Sequence, residues 1–381
     1  MLAVMTSPLT AVAAGIVDSL VRTAPERGPS AAVVGLYEAE DEPATVARGY
    51  ARVLDEHGRP MPPVPLAEQP VFDVGSVTKV AATTTLCMHL VETGRLGLDE
   101  RVYQRLPGFT GEDKDTVTVR DLLEHQAGLW EWWPIYLDPA GAGGHPLDVA
   151  QRLPLRHRPR TGRRYSDLGF MLLAEIVARA YGEPLETLAR RMVFDPLGMH
   201  DTGYRDRADP APSNRVVATS VGDWYERRMV ETGSPYPVPL RADSFTGWRT
   251  HTLEGEPNDG NCWHAWGGVA GHAGLFTTVT DLLRLGTALL SSLEDSGPWS
   301  RQVVAEFLEP GREPTQALGF WLRPGADSAV VEHSGFPGAR FAVLPQRRRV
   351  VALLTNRLHT TGEPISLDRA WSELIAAVEA A

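Results

Sequence analysis

The order of helical and extended patterns along the chain constrains its fold more than any other feature. A helical spacing of apolar residues over residues 9–21 is followed by two extended runs rich in small and β-branched residues, at 31–37 and 46–54. The middle of the chain is mainly helical. The final part returns to short extended runs and closes with an amphipathic helix over residues 366–378.

The other predicted elements lie between these ends. Helical patterns cover residues 76–93, 119–124, 166–181, 184–193 and 280–290, the last with a threonine at its N-cap. Extended runs cover residues 319–322, 328–333, 340–344 and 350–355. Residues 59–70 contain five prolines, so we predict that they lack regular structure.

Extended runs near both ends of a chain can share one antiparallel sheet around an inserted helical region. We therefore predict an α+β fold, in which an antiparallel sheet is flanked by the terminal helices. The predicted sheet domain combines residues 1–62 and 283–381. Residues 63–282 form the predicted mainly helical domain, which carries the active-site loops.

The composition excludes several classes of protein. The 381 residues are 43% hydrophobic and 22% charged, which fits a globular chain with a sizeable core. The net charge of −11 argues against a nucleic-acid partner. No apolar run is long enough to span a membrane and the start lacks a secretory pattern, so we expect a cytoplasmic protein. Cys87 and Cys262 indicate neither a disulfide framework nor a zinc site, and we expect no metal or cofactor.

The run Ser76-Val77-Thr78-Lys79 carries the first chemical signal, because Ser76 stands where an extended stretch ends and a helix begins. Unpaired amides and the helix dipole favour negative charge at such a position. Lys79 lies one turn later on the same face, where its amine can act as a base or shift the pKa of a neighbouring base. The structural alternative is a serine N-cap beside a surface lysine.

The scarcity of lysine makes this spacing informative. The 37 basic residues include two lysines, Lys79 and Lys114, and the chain has 17 serines. A serine three residues before a lysine is then expected about 0.1 times by chance, so the motif has a low false-positive risk. Lys114 lies among three acidic residues, and we interpret it as solvated surface.

Two later motifs are ambiguous when taken separately. Tyr165-Ser166-Asp167 opens a predicted helix, where a tyrosine is commonly a core aromatic residue. His333-Ser334-Gly335 follows an extended run, where a histidine is commonly structural. Their order after the serine–lysine helix resembles that of the serine β-lactamases and penicillin-binding proteins.

The chain resembles the class C β-lactamase-related serine hydrolases, a family that also includes esterases, D-aminopeptidases and transacylases. The resemblance runs from about residue 29 to residue 361. The further stretches that are similar to family landmarks are residues 72–79, 121–129, 165–180, 196–203, 267–276 and 350–357. The resemblance implies a β-lactamase/penicillin-binding-protein-like fold.

The resemblance also implies roles for individual residues. Ser76 is the nucleophile, and Tyr165 is the general base, with a phenol pKa lowered by Lys79. Lys79 and Tyr165 titrate as a coupled pair, so the residue that holds the proton at each step stays open. The backbone amides of Ser76 and Phe336 form the oxyanion hole.

The substrate-binding positions depart from the β-lactamase pattern. His333, followed by Ser334 and Gly335, replaces the usual lysine, and a histidine is mostly neutral at pH 7. Asp167 stands where the family has asparagine, and its negative charge disfavours an anionic substrate. Both changes resemble the esterase-like branch of the family.

Aromatic and histidine residues near the motifs have two readings. Trp130, Trp132 and Trp133 follow a landmark stretch and either form a hydrophobic substrate pocket or pack against the helical domain. His125 and His272 belong to landmark stretches, and we interpret them as structural.

These observations favour a serine hydrolase with an acyl-enzyme on Ser76, most simply a carboxylesterase acting on small or hydrophobic esters. An acyltransferase and a D-amino-acid amidase or peptidase are alternatives on the same scaffold. β-Lactamase activity fits less well, and a non-catalytic binding module fits least. The expected partner is a small ester or amide, and the oligomeric state is left open.

Overall fold

The computed structural model describes residues 7–39, 42–139, 144–205, 214–325 and 329–381. The helices in these ranges are α1 (Pro8–Val21), α2 (Thr85–Glu92), α3 (Val102–Arg105), α4 (Val119–Leu123), α5 (Pro146–Arg152), α6 (Asp167–Tyr181), α7 (Leu185–Ala189), α8 (Trp224–Thr232), α9 (Val279–Leu293), α10 (Arg301–Leu308) and α11 (Asp368–Ala380). The strands are β1 (Ala31–Glu38), β2 (Ala44–Leu54), β3 (Pro60–Pro65), β4 (Phe72–Asp73), β5 (Gly203–Tyr204), β6 (Leu275–Thr277), β7 (Trp321–Pro324), β8 (Ala329–Gly335), β9 (Ala339–Leu344) and β10 (Arg349–Thr355).

The main sheet joins the two ends of the chain, as predicted. Its seven strands lie in the order β3-β2-β1-β10-β9-β8-β7, and every neighbouring pair is antiparallel. Strand β1, near the start of the chain, pairs with β10, near its end, from Ala32↔Thr355 to Glu38↔Arg349. The structure therefore confirms the α+β fold with an antiparallel sheet flanked by terminal helices.

Alternating side chains of the central strands supply two separate cores. Ala32 and Val34 of β1 pack with α1 and α11 on one face. Val33 faces the larger core on the other side, where α9 covers the sheet. Because successive side chains of a strand point to opposite faces, a strand buried on both sides is apolar at nearly every position.

The predicted helices and extended runs have counterparts in the structure. The helix predicted over residues 76–93 is divided into a tight turn (Gly75–Val77), a wide turn (Lys79–Thr84) and α2, and the helix predicted over residues 184–193 is α7 followed by a wide turn (Arg190–Phe194). The other elements differ from the prediction by small shifts at their ends. The threonine cap of α9 is Thr278, whose hydroxyl accepts a hydrogen bond from the Asp281 amide at 3.2 Å. Residue 328, the start of one predicted run, lies outside the described residues. The division into two domains stays a prediction, and its boundary at residue 283 lies inside α9.

The prediction that residues 59–70 lack regular structure is wrong for β3. This strand lies at the edge of the sheet and pairs with β2 through Tyr50↔Pro65, Arg52↔Val64 and Leu54↔Pro60. Proline has no amide hydrogen to donate, but an edge strand needs donors and acceptors on one side alone. The register shifts twice along this pair, which accommodates the prolines.

The prediction that Lys114 is solvated is also wrong. Its side chain is buried, and its Nζ donates a hydrogen bond to the Gln151 carbonyl at 2.7 Å. The ammonium lies 5.4 Å from the centre of the Phe109 ring. Burial lowers the pKa of Lys114 below its ordinary value, and the nearby Glu112 opposes this shift.

A second, smaller sheet leads the chain into the site. Its order is β4-β6-β5, and β4 ends three residues before Ser76. Across the described ranges, no helix combines the length and apolar character needed to cross a membrane.

Candidate active site

Ser76 lies in a single tight helical turn, Gly75–Val77, that packs against β8 and β9. Gly75 has a φ of +48°, which favours glycine, and a Cβ at this position would lie 2.5 Å from Cδ of Pro337. The Asp73 carboxylate accepts a hydrogen bond from the Gly75 amide at 2.9 Å. This packing fixes the backbone before Ser76, whose own side chain is only half-buried.

Lys79 is fully buried, and its ammonium has an acceptor for each of its three protons. Its Nζ donates to Oγ of Ser76 at 2.9 Å, to Oδ1 of Asp167 at 2.6 Å and to the His272 carbonyl at 3.1 Å. The wide helical turn Lys79–Thr84 carries the lysine toward these partners. The arrangement suits a protonated lysine, because a neutral amine has one proton fewer to donate.

Electrostatics support the same protonation state. Burial is the largest single cause and acts to lower the pKa of Lys79. The charges of Asp167 and Tyr165, with the hydrogen bonds to both residues, together outweigh burial and raise that pKa above its ordinary value. Asp167 is the first residue of α6, directly after the Ser166 N-cap. The tyrosine motif and the serine–lysine motif therefore meet through this carboxylate.

Tyr165 lies above the lysine, with its ring centre 5.0 Å from Nζ of Lys79. Its pKa is raised above the ordinary value, which corrects the expectation that Lys79 lowers it. Burial is the largest cause, since it disfavours the phenolate, and the Asp167 charge acts in the same direction. Lys79 and Ser76 oppose the shift without reversing it.

Strand β8 places His333, Ser334 and Gly335 beside the Ser76 turn. A Cβ on Gly335 would overlap the Val74 carbonyl oxygen, so glycine allows the strand to pack directly on the segment before Ser76. Phe336 follows at the end of this strand. Its amide nitrogen lies 3.4 Å from the position that a Cβ on Gly75 would take.

His333 lies behind Tyr165 and is buried. Its ring stacks on Trp321 with centres 4.8 Å apart, and it lies 6.2 Å from the Tyr165 ring. Burial, assisted by the charge of Lys79, lowers the pKa of His333 to about 3. The imidazole is therefore neutral, and its position behind Tyr165 leaves it outside the cavity lining.

Ser76 opens into a cavity of about 220 Å³. The lining combines acidic, aromatic and small residues, which are Gly75, Ser76, Trp132, Tyr165, Asp167, Tyr225, Glu226, Met229, Pro235, Tyr236, Asn258, Asp259, Phe336 and Pro337. This set brings together the predicted Ser76, Tyr165, Asp167 and Phe336.

The three tryptophans divide between the two readings. Trp132 lines the cavity and is largely buried. Trp130 and Trp133 are not among the lining residues. Their indole nitrogens donate to the Pro154 carbonyl at 3.1 Å and to Asp138 at 2.9 Å, and their rings pack against each other.

Two acidic residues of the lining, Glu226 and Asp259, were missed from the sequence. Glu226 accepts a hydrogen bond from the Tyr136 hydroxyl at 2.8 Å and one from the Gly260 amide at 2.7 Å. Burial, Asp259 and Asp223 raise the pKa of Glu226 well above its usual range. Neither residue belongs to a motif with fixed spacing, so no sequence signal marks them.

Asp259 carries the opposite pKa shift. Burial acts to raise its pKa, but contact with His272 and the Cys262 amide outweighs burial, and the pKa falls to about 2. Its Oδ1 lies 2.9 Å from Nε2 of His272 and accepts the Cys262 amide at 2.7 Å. Asp259 is therefore ionised at neutral pH.

The two landmark histidines both support the site. Nδ1 of His125 accepts the Ser166 amide at 3.0 Å, which places the start of α6. His272 binds Lys79 through its carbonyl and Asp259 through its ring.

Comparison with known proteins gives one family match and several similar proteins. The sequence model of the Beta-lactamase family matches residues 17–375. The chain is 29% identical over 341 residues to N-acetylmuramyl-L-alanine amidase of Bacillus subtilis (strain 168), which covers 82% of this chain and 74% of that protein.

Two solved structures share the architecture at a TM-score of 0.69 each. One is a D-amino acid amidase from Ochrobactrum anthropi SV3 complexed with L-phenylalanine amide, at 19% identity over 98% of this chain and 99% of that chain. The other is EstCE1, a hydrolase with promiscuous acyltransferase activity, at 20% identity over 97% and 98%. At these identities the likeness shows the fold alone.

Proposed function

The chain belongs to the beta-lactamase family of serine hydrolases, and on this premise we propose that it hydrolyses carboxylic esters through an acyl-enzyme on Ser76. The observation that carries the proposal is the contact of Ser76 Oγ with Nζ of Lys79 at 2.9 Å, at the mouth of a cavity of about 220 Å³. A serine hydroxyl needs such a neighbour to become a nucleophile.

The protonation states of Lys79 and Tyr165 define what must happen before Ser76 attacks the substrate. Lys79 as an ammonium and Tyr165 as a neutral phenol together hold one proton too many to accept another from Ser76. Loss of one proton to solvent leaves a coupled pair that can act as the base. The reaction is therefore expected to accelerate as the pH rises.

In the proposed acylation, Ser76 Oγ attacks the ester carbonyl carbon and its proton passes to the Lys79–Tyr165 pair. The carbonyl oxygen takes up negative charge, for which the amides of Ser76 and Phe336 are the proposed donors. The pair then returns the proton to the departing alkoxide, which leaves as the alcohol. Water attacks the acyl-enzyme by the same route and releases the acid.

The cavity lining favours a small or hydrophobic neutral ester group over an anionic substrate. Trp132, Tyr225 and Phe336 give it aromatic walls. The part of the chain that the structure describes contributes no lysine, arginine or histidine to this lining. The anionic carboxylate of a β-lactam would therefore meet the Asp259 carboxylate without a cation among the lining residues.

Hydrolysis of amides is a second candidate, because an amide forms the same acyl-enzyme. The names of the similar proteins, which include amidases, support this candidate. Transfer of the acyl group to an alcohol or amine is the remaining alternative, and product analysis with added acceptors separates it from hydrolysis.

Short p-nitrophenyl esters test the proposal with wild type, Ser76→Ala and the control Ser296→Ala, an exposed serine outside the cavity lining. We expect Ser76→Ala to lower kcat/KM by about 1,000-fold or more and the control to match wild type. A fluorophosphonate should label the wild type at Ser76. Unchanged hydrolysis by Ser76→Ala would exclude the proposed nucleophile.

A further inference from the structure

The charge of the Ser76 cavity is one-sided. Three carboxyl groups, those of Asp167, Glu226 and Asp259, belong to its lining. Within the described ranges the lining includes no basic side chain, and the buried Lys79 beneath it is already engaged by Asp167. Arg357 lies near the rim, where its guanidinium packs on the Phe336 ring and donates to the Phe336 carbonyl.

The three carboxyl groups differ in what they can offer a ligand. Asp167 is paired with Lys79, and both oxygens of Glu226 already accept hydrogen bonds. Asp259 is ionised, and both of its hydrogen bonds use Oδ1, which leaves Oδ2 for a further donor. Its side chain keeps 24% of its surface exposed.

The aromatic part of the lining complements this charge. Trp132, Tyr225, Tyr236 and Phe336 line the same cavity as Asp259. Aromatic faces attract cations, most strongly where water is excluded, and they accept hydrocarbon groups equally well. A ligand that combines an ammonium with an apolar side chain fits both parts of the lining.

We propose that the substrate of Ser76 carries a protonated amino group on its acyl part, held by Asp259 beside the aromatic lining. The substrate class is an ester or amide of an amino acid with a free amino group. This inference rests on the proposed function, because it places the amine relative to an acyl group that Ser76 attacks. A charge-assisted hydrogen bond is stronger than a neutral one, so loss of the ammonium should cost selectivity.

Esters matched in shape test the inference on the wild-type protein. The substrates are phenylalanine methyl ester, in both enantiomers, 3-phenylpropionic acid methyl ester and N-acetylphenylalanine methyl ester. They are assayed about one pH unit or more below the ordinary α-amino pKa of about 7.7, where most of the amine is protonated. Each kcat/KM is divided by the rate of hydrolysis by hydroxide, which removes differences in intrinsic reactivity.

We expect one enantiomer of the amino ester to exceed both neutral esters by about 10- to 100-fold after this correction. Equal values, or a preference for the neutral esters, would overturn the inference. The proposed function would survive that result if Ser76→Ala still abolished hydrolysis of the neutral esters. Hydrolysis that does not depend on Ser76 would instead reject the proposed function and this inference together.

A charge-neutral variant sharpens the test. Asp259→Asn keeps an oxygen acceptor for the Cys262 amide and should lower the corrected preference for the amino ester by about 10-fold. The kcat/KM of the desamino ester in the same variant is the reference, since that ester has no ammonium for Asp259 to hold, and the ratio of the two values removes any effect of the substitution on Ser76 itself. Asp99→Asn removes one charge from an exposed site and should leave both values unchanged. A folded Asp259→Asn protein that retains the full preference would overturn the assignment of Asp259.

Discussion

The two lysines of this chain, Lys79 and Lys114, lie in regions that bury an ammonium in opposite ways. Lys79 meets the Asp167 carboxylate at 2.6 Å, and its pKa is raised. Lys114 donates to the Gln151 carbonyl and lies near Phe109, and its pKa is lowered. Burial acts to lower both values, so the directly bound carboxylate is the difference between the two regions.

The contrast separates a lysine used for chemistry from one used for packing. In the Ser76 region the ion pair holds the proton on Lys79 and directs that ammonium at the nucleophile. In the Lys114 region the ammonium donates a hydrogen bond to the Gln151 carbonyl, and Lys114 is not among the residues that line the Ser76 cavity. Substitutions of Lys79 and Lys114 should therefore differ in their effects on activity and on stability.

Replacement of each lysine by methionine gives the largest expected divergence. Lys79→Met removes the coupled base and should lower kcat/KM for a reactive ester by about 1,000-fold or more. Lys114→Met should leave kcat/KM at the wild-type value. Steady-state kinetics on both folded variants measure kcat/KM relative to wild type. Comparable losses in the two variants would contradict a catalytic role that belongs to Lys79 and not to Lys114.

Tyr165→Phe tests the second member of the proposed base pair. Loss of the phenol should lower kcat/KM by about 100-fold, because Lys79 then moves the protons alone. Tyr103→Phe, at a partly exposed tyrosine of α3, is the matched control and should leave kcat/KM unchanged. If Tyr165→Phe retained full activity, Lys79 would have to be the sole base.

The smallest expected effect is the change in the free energy of unfolding that Lys114→Met causes. The pKa of Lys114 in the folded chain lies below that of the unfolded chain, so its charged form costs stability at any pH below the folded pKa. This cost declines as the pH rises through the folded pKa. Lys114→Met removes it and should leave the free energy of unfolding unchanged or raise it by roughly 1 kcal/mol. A marked loss in denaturant unfolding at pH 7 would show that the bond to Gln151 outweighs desolvation.

The sequence predicted the parts of the fold and site that depend on local pattern. Short continuous runs of small and β-branched apolar residues identify β1 and β10, and the boundary at Gly75 identifies the turn that bears Ser76. The order of the three motifs supplied the family resemblance.

Contacts between residues that are far apart in the sequence explain the predictions that were wrong. The sequence alone indicates Asp167 as a change in substrate preference, since the lysine that it neutralises lies 88 residues away. Burial, with the Asp167 charge acting in the same direction, raises the Tyr165 pKa, whereas the sequence predicts that Lys79 lowers it. Lys114 was placed on the surface because of its acidic neighbours in sequence, but tertiary packing buries it.

The acidic side of the cavity gave no local signal. Glu226 lies on α8 and Asp259 precedes a separate wide turn, Asn261–Ala265, so only the folded chain brings both to the Ser76 cavity. The strand β3 was missed for another local reason, since its prolines are compatible with an edge position that sequence does not reveal.

The central claim is that Asp167 holds the Lys79 proton that must leave before Ser76 reacts. The direct measurement is the pH dependence of the Ser76 acylation rate in wild type, Asp167→Asn and the control Glu112→Gln, which neutralises the acidic neighbour of Lys114. Wild type and control should still accelerate at the alkaline end of the stable range. Asp167→Asn removes the charge that contributes most to raising the Lys79 pKa, so its rate should rise and level off about one to three pH units lower. A profile of Asp167→Asn that matches wild type, or moves to higher pH, would contradict the account.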